Sequence, residues 1–312
     1  MSTKAEKDRN ARIAARQLEA KKKKDEKAAK QAKLDQKLKD SLEVTKAERA
    51  KQLNKGIIVD VINPVQARLA QASKFAAVCA LEYTPAHMKM YQMNRMCDPR
   101  FIKSIADSVL IPVIAKVNIG HEIEAAVAAK VGANFIEETE FALDAAPTVY
   151  MDKKDVPVPV ICTVTTLADC VARLKEGASI LRTRNKAAVR AEATLKIITD
   201  LVAEIEKYQD KDKWIAYCGA KKDDGLEEAD YETYIFEKNL SHFPIFAYGG
   251  ICTPRDVALM MEMGCRGVFV ENSIFASDNP RNRLKSMARA IEVYDKMDEL
   301  IKLSMGTGER YT

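Results

Sequence analysis

Two residues of opposite charge stand inside apolar runs of the sequence and could carry covalent chemistry. Lys116 lies within the run 113–117, and Asp60 lies within the run 59–63. Burial disfavours a charged amine, so the pKa of Lys116 is expected to fall and its neutral amine could attack a carbonyl carbon. The sequence therefore makes Lys116 a Schiff-base candidate, with Asp60 as its acid–base or orienting partner. The alternative is an ion pair that only satisfies two buried charges.

A pair of glycines indicates a possible anion site. Gly249 and Gly250 follow the apolar run 244–248, and such a turn after the seventh strand of a barrel often forms half of a phosphate site. A plain tight turn is the alternative. The other half should follow the eighth strand, where the chain reads Glu271-Asn272. Because a carboxylate repels phosphate, this half of the site is predicted to be degenerate.

Other polar residues give weaker signals. Glu137, Glu138 and Glu140 form a carboxylate cluster that either titrates unusually or faces solvent, and His121 is placed to cap a helix. The three histidines lie far apart and the seven cysteines contain no C-x-x-C pair, so neither a metal site nor a bound cofactor is expected.

Eight short β-branched runs alternate with helical stretches and would position these residues. Strands that alternate with helices form parallel sheets, and eight such units predict an α/β protein with a (β/α)8 TIM barrel over residues 56–312. A doubly wound open sheet is the alternative, but the turn at residues 63–66 lacks its glycines. An insertion is predicted near 208–240, and a C-terminal helix and tail end the chain. The predicted strands are 57–62, 76–81, 112–117, 134–138, 157–164, 179–184, 244–248 and 267–270.

Residues 1–55 form a basic extension ahead of the predicted barrel. They hold 18 Lys and Arg against 9 Asp and Glu, a net +9, so the rest of the chain carries −4 of the formal +5. Their composition predicts a long charged helix, which either remains solvated or binds an acidic protein or nucleic-acid surface. The sequence shows neither a membrane span nor a secretory segment, and the unpaired cysteines favour a reducing compartment, so the predicted location is cytoplasmic.

The segments around these residues resemble the synthase subunit of pyridoxal 5'-phosphate synthase. The resemblance covers roughly residues 54–300, and its anchors are 60–63, 95–99, 115–121, 176–179, 181–183 and 249–280. It implies a barrel that combines ribose 5-phosphate, glyceraldehyde 3-phosphate and ammonia on two lysines. Lys116 matches the first lysine, which forms the imine with ribose 5-phosphate, and Asp60 matches the aspartate beside it.

The sequence departs from that family at several ligand-facing positions. The second lysine is replaced by Arg184, whose guanidinium stays protonated and cannot form an imine. The glycine-rich phosphate loop after it has become residues 185–190, which contain no glycine. Glu271-Asn272 replaces the family's Gly-Ser pair that binds phosphate. Residues 90–94 replace its Gly-Gly-Val segment, and Asn118 replaces a basic residue.

These departures predict a degenerate barrel that acts as a pseudoenzyme with a regulatory or structural role. An active lyase or synthase subunit of vitamin B6 biosynthesis, working through a Lys116 Schiff base, is the first alternative. The second is a structural component of a cytoskeletal or ribonucleoprotein particle, anchored by residues 1–55. The resemblance implies a hexameric or dodecameric assembly, with itself or with active paralogues. The extended N-terminus argues against docking of a glutaminase subunit.

Overall fold

A computed structural model describes residue 21 and residues 45–83, 95–139, 149–183, 191–221 and 225–307. The chain divides into two compact units, Met1–Thr45 and Lys46–Thr312. Most of the predicted basic extension lies outside the described residues, so its helical conformation and its binding role stay predictions.

Eight parallel strands close into a barrel in sequence order, with β1 paired to both β2 and β8. This confirms the predicted (β/α)8 fold. The strands are β1 Gly56–Val61, β2 Ala77–Ala80, β3 Val113–Asn118, β4 Phe135–Thr139, β5 Val160–Val164, β6 Ile180–Thr183, β7 Ile245–Tyr248 and β8 Gly267–Val270.

Helices follow the strands on the outside of the barrel. They are α1 Pro64–Ala72, α2 Pro99–Ala106, α3 Glu122–Lys130, α4 Leu167–Lys175, α5 Ala191–Lys207, α6 Lys211–Ala220, α7 Pro254–Glu262, α8 Pro280–Ala290 and α9 Met297–Ser304. Among the described residues, no helix is long and apolar enough to cross a membrane.

Side-chain caps fix where several helices begin, directly after the strands. Thr166 begins α4 and Thr253 begins α7, each with a capping box completed by an aspartate three residues later. In both, the hydroxyl accepts the N3 amide and the aspartate accepts the cap amide, which satisfies two of the free N–H groups of the first turn. The turns that follow β5 and β7 are therefore held in a defined conformation.

The barrel interior is arranged in layers because side chains alternate along each strand. One layer lies toward the amino ends of the strands and is apolar. The next layer contains the inward-facing residues two positions further along each strand, and most of them are polar. The apolar layer consists of Ile58, Ala77, Ile114, Phe135, Ile161, Ile180, Phe246 and Phe269. The residues two positions later are Asp60, Cys79, Lys116, Glu137, Thr163, Arg182, Tyr248 and Glu271. We call this second set the upper layer.

Residues 46–53 pack against the apolar layer. Residues 46–51 are helical, and Ala50 and Leu53 belong to the same buried cluster as the inward-facing residues of the eight strands. The Lys46 amine is buried and donates to the backbone oxygens of Lys153 and Lys154, both at 3.0 Å. The end of the predicted extension therefore contributes to the core.

The predicted insertion has its own short elements. The apolar run at 214–218 lies in α6, and a π-helix at Tyr231–Ile235 and a 3-10 helix at Leu240–His242 precede β7. Trp214 is fully buried, and its ring packs near Tyr208 and Tyr217. Tyr208, Trp214 and Tyr231 belong to the main buried cluster, so these elements extend the core beside α5.

Candidate active site

The structure brings Lys116 and Asp60 together inside the barrel. The Lys116 Nζ atom donates to both carboxylate oxygens of Asp60, at 3.1 and 3.3 Å. Both side chains are buried, Lys116 on β3 and Asp60 on β1. The predicted pair is therefore a buried, charged hydrogen-bonded pair at the carboxyl half of the barrel.

The charge state of Lys116 is the opposite of what burial alone predicts. Burial is the largest influence and lowers the pKa of the amine, but Asp60 and then Glu137 raise it, and the pKa ends well above the usual lysine value. The expected fall in the pKa was wrong because two carboxylates outweigh the loss of water. In the resting site, Lys116 is an ammonium ion that must lose a proton before it can attack a carbonyl carbon.

A second buried pair, Arg182 with Glu137, lies across the same layer. The Arg182 guanidinium stacks on the ring of Tyr248, 4.1 Å from its centroid, and the Lys116 amine lies 5.9 Å from the same centroid. Burial is the main cause that raises the pKa of the Tyr248 phenol, so this group is neutral and can donate a proton. The sequence analysis did not assign Glu137, Arg182 or Tyr248 to the site. Each lies two residues after an inward-facing apolar residue of its strand, and this spacing could have identified it.

The glycine pair forms a turn that only glycine adopts readily. Gly249 has φ 111° and Gly250 has φ 68°, both in the left-handed region. The Thr194 hydroxyl lies 2.8 Å from the backbone oxygens of both Tyr248 and Gly249, which anchors the turn to α5. The turn is thus rigidly placed at the end of β7.

Glu271 lies beside this turn. Burial is the main cause that raises the pKa of its carboxyl, and Asp60 raises it further, while Lys116 and a hydrogen bond from the Gly250 N–H oppose them. Because Tyr248 pairs with Phe269 across β7 and β8, Glu271 lies next to Gly250, where the sequence predicted a phosphate. Asn272 next to it donates to the Asp60 backbone oxygen at 3.1 Å and to Gln66 Oε1 at 2.6 Å.

Glu138 and His121 are not part of this cluster. Glu138 is fully buried and forms an ion pair of 2.8 Å with Lys153, which also bonds to Glu176. His121 is exposed and caps α3 by accepting the Glu124 amide, as predicted. The described residues do not include Glu140, Arg184 or the segments 90–94 and 185–190. The replacement of the second lysine by Arg184 therefore rests on the sequence alone.

The described residues hold no group of three or more His, Cys, Asp or Glu side chains arranged to bind a metal ion. The arrangement instead offers proton transfer and amine chemistry. Asp60 is in place to accept a proton from Lys116, and Tyr248 can donate one to an oxygen that develops negative charge. A carbonyl compound that reached Lys116 could form an imine here.

Comparisons with known proteins place this site in context. The model of the SOR/SNZ family matches residues 42–246, and a model described as thiazole biosynthesis protein ThiG matches residues 217–297. A probable pyridoxal 5'-phosphate synthase subunit of Hevea brasiliensis is 35% identical, with 83% of this chain and 84% of that protein covered. Similar subunits of Mycolicibacterium smegmatis and, named as probable, of Saccharomyces cerevisiae are each 37% identical over 83% of this chain and 86% and 88% of their own lengths. A solved thiamine phosphate pyrophosphorylase from Pyrococcus furiosus matches with 14% identity and a TM-score of 0.46, covering 79% of this chain and 98% of that one.

Proposed function

The chain belongs to the SOR/SNZ family of pyridoxal 5'-phosphate synthase subunits, and from that premise we propose that it condenses a sugar carbonyl with Lys116 in vitamin B6 biosynthesis. The observation that carries this proposal is the buried Lys116–Asp60 pair, with Nζ and Oδ1 3.1 Å apart. The family resemblance names ribose 5-phosphate as the sugar. The activity is that of a carbon–nitrogen lyase or synthase.

The proposed reaction begins with proton transfer from the Lys116 ammonium to Asp60. The freed Nζ lone pair attacks the carbonyl carbon, Tyr248 donates a proton to the carbonyl oxygen, and the positively charged nitrogen returns a proton to Tyr248, which gives a neutral carbinolamine. Asp60 then gives its proton to the hydroxyl group, which leaves as water and leaves the protonated imine on Lys116. Burial of the pair favours this step because the carboxylate and amine are already oriented and water is excluded.

A second candidate function is a pseudoenzyme with a regulatory or structural role, and two observations favour it. Arg184 stands where the resemblance places the second lysine, and Glu271 lies beside the Gly250 turn. A barrel without a second imine-forming amine cannot pass an intermediate between two lysines. Under this proposal the chain assembles with itself or with active paralogues in a hexamer or dodecamer without completing synthesis.

The basic residues 1–55 and the unpaired cysteines bear on where the protein is located and what it binds. We propose a cytoplasmic protein whose residues 1–55 either bind an acidic protein or nucleic-acid surface or anchor the chain in a larger structural particle. The extension ahead of the barrel argues against docking of a glutaminase subunit. The net +9 of that segment supports attraction to an acidic surface.

Reductive trapping with borohydride separates the two candidate functions. If the first is right, incubation with ribose 5-phosphate and borohydride adds the reduced sugar to Lys116, detected by mass spectrometry of the peptide. Lys116→Met removes the amine and abolishes the adduct, while Lys103→Met, at an exposed lysine of α2, keeps it. Absence of an adduct on Lys116 with any sugar carbonyl would favour the pseudoenzyme. Pyridoxal phosphate formation from both sugar phosphates and ammonia would rule the pseudoenzyme out.

A further inference from the structure

We propose that Glu271 acts as a built-in anion at the Gly249–Gly250 turn, so that the site accepts a hydroxylated carbonyl compound without phosphate in preference to a sugar phosphate. This inference rests on the proposed function of Lys116, because it names the class of compound that reaches that amine. The sequence predicts only that Glu271 repels phosphate, and the family resemblance names a sugar that carries one.

The first support is the position of Glu271 beside the glycine turn. A turn of two left-handed glycines after a barrel strand is suited to an anion. Tyr248 of β7 pairs with Phe269 of β8, so Glu271, two residues after Phe269, lies next to Gly250, two residues after Tyr248. An incoming phosphate would have to occupy this turn beside a covalently attached carboxylate.

The second support is the charge balance of the described upper layer. Lys116 is paired with Asp60, and Arg182 is paired with Glu137. Glu271 adds a third carboxylate against these two cations, which leaves the described layer at −1 when all groups are charged. A phosphate monoester would bring a further charge of about −1.5 to −2, in a region where burial weakens screening by water.

The third support is an unused acceptor. The Oε1 atom of Glu271 is buried and has no hydrogen-bond partner among the described residues. Buried oxygens of this kind are normally satisfied, and a sugar hydroxyl is a donor that would satisfy one without adding charge. A polyhydroxylated aldehyde or ketone therefore fits the position better than a phosphate ester.

Glu271→Gln tests the inference, because glutamine keeps the size of the side chain and removes its charge. The wild type, E271Q and E262Q are each trapped with ribose and, separately, with ribose 5-phosphate. Glu262 is exposed on α7, so E262Q matches the change in net charge away from the site. The measured quantity is the ratio of trapping rates for ribose 5-phosphate over ribose, compared between proteins because the two sugars differ in their reactive fraction.

We expect E271Q to raise this ratio about tenfold or more and E262Q to leave it unchanged. The same proteins are titrated with inorganic phosphate by calorimetry, and we expect E271Q to bind it about tenfold more tightly than the wild type. An unchanged ratio, or equal phosphate affinity of E271Q and the wild type, would overturn the inference. If no protein forms an adduct with either sugar, the proposed function fails, and the phosphate titration still decides the role of Glu271.

Discussion

At the scale of single residues, the protonation of Lys116 determines when the site can react. Burial favours the neutral amine, whereas the carboxylates of Asp60 and Glu137 favour the ammonium ion and raise its pKa. The neutral fraction therefore grows only as the pH rises toward the raised pKa. A substrate that displaced Asp60 from Nζ would lower the pKa, so binding and activation of the amine are coupled.

Asp60→Asn is expected to lower the pKa of Lys116, because it removes the nearest negative charge and leaves the burial. The pH dependence of reductive trapping of Lys116 by a small aldehyde should then shift to lower pH, by about 1–3 units. The shift is measured by mass spectrometry of the trapped peptide across a pH series.

Asp107→Asn is the matched control for this shift. Asp107, directly after α2, pairs with Lys103 at an exposed position, and its loss should leave the pH dependence of Lys116 unchanged. A D60N profile that coincides with the wild-type profile would show that Asp60 does not set the protonation of the amine.

At the scale of secondary-structure elements, the strands were predictable because apolar, β-branched runs recur between helical stretches. All eight predicted strands are present, and the last, Gly267–Val270, has the predicted bounds. The fifth prediction began at residue 157 and the strand begins at Val160, because prolines at 157 and 159 have no N–H for the ladder.

The site was only partly predictable from the sequence. Lys116 and Asp60 were found because a charge inside an apolar run is unusual. Glu137, Arg182 and Tyr248 were missed as a group, because their proximity depends on which strands face each other across a closed barrel. The position of Glu271 beside Gly250 depends on the pairing of β7 with β8, and the sequence predicted only repulsion of phosphate.

An ion network ties β4 to the segment before β5 and to the end of α4. Lys153 and Glu138 are fully buried and 2.8 Å apart, and Glu138 Oε1 also accepts the amides of Gly120 and Met151 at 2.9 and 3.1 Å. Lys153 reaches Glu176 as well, at 2.5 Å. The network ties Gly120 and residues 151–153 to β4.

Lys153→Met is expected to destabilise the protein, because it leaves the Glu138 carboxylate buried without its cation. The loss in the free energy of unfolding should be about 3 kcal/mol, near the lower end for a broken buried pair. It is measured by urea denaturation. Adding Glu138→Gln to Lys153→Met should recover part of the loss, since the uncompensated charge disappears.

Lys196→Met is the matched control, because Lys196 pairs with Asp200 at an exposed position on α5. It should leave stability unchanged within error, since exposed pairs contribute little. If Lys153→Met proved as mild as this control, the network would not contribute to stability.

At the scale of the whole molecule, the barrel core extends beyond the eight β/α units. Leu53 is 1% exposed and packs with inward-facing residues of the strands, while the Lys46 amine is bonded to two backbone oxygens. Residues 46–53 are therefore needed for the core, whichever partner binds the charged segment before them. Any deletion that probes the basic segment must stop before Lys46.

Deleting residues 1–44 separates attachment from folding. The shortened chain should unfold at nearly the same urea concentration as the full chain, because the buried residues 46–53 are kept. Leu53→Ala in the full chain should instead cost about 2–4 kcal/mol, since it opens a cavity beneath the apolar layer. If residues 1–44 anchor the protein in a larger particle, the shortened chain should leave that particle in sedimentation experiments while Leu53→Ala stays bound. Loss of stability in the shortened chain, or its retention in the particle, would contradict the proposed division between a barrel that starts at residue 46 and a basic attachment segment.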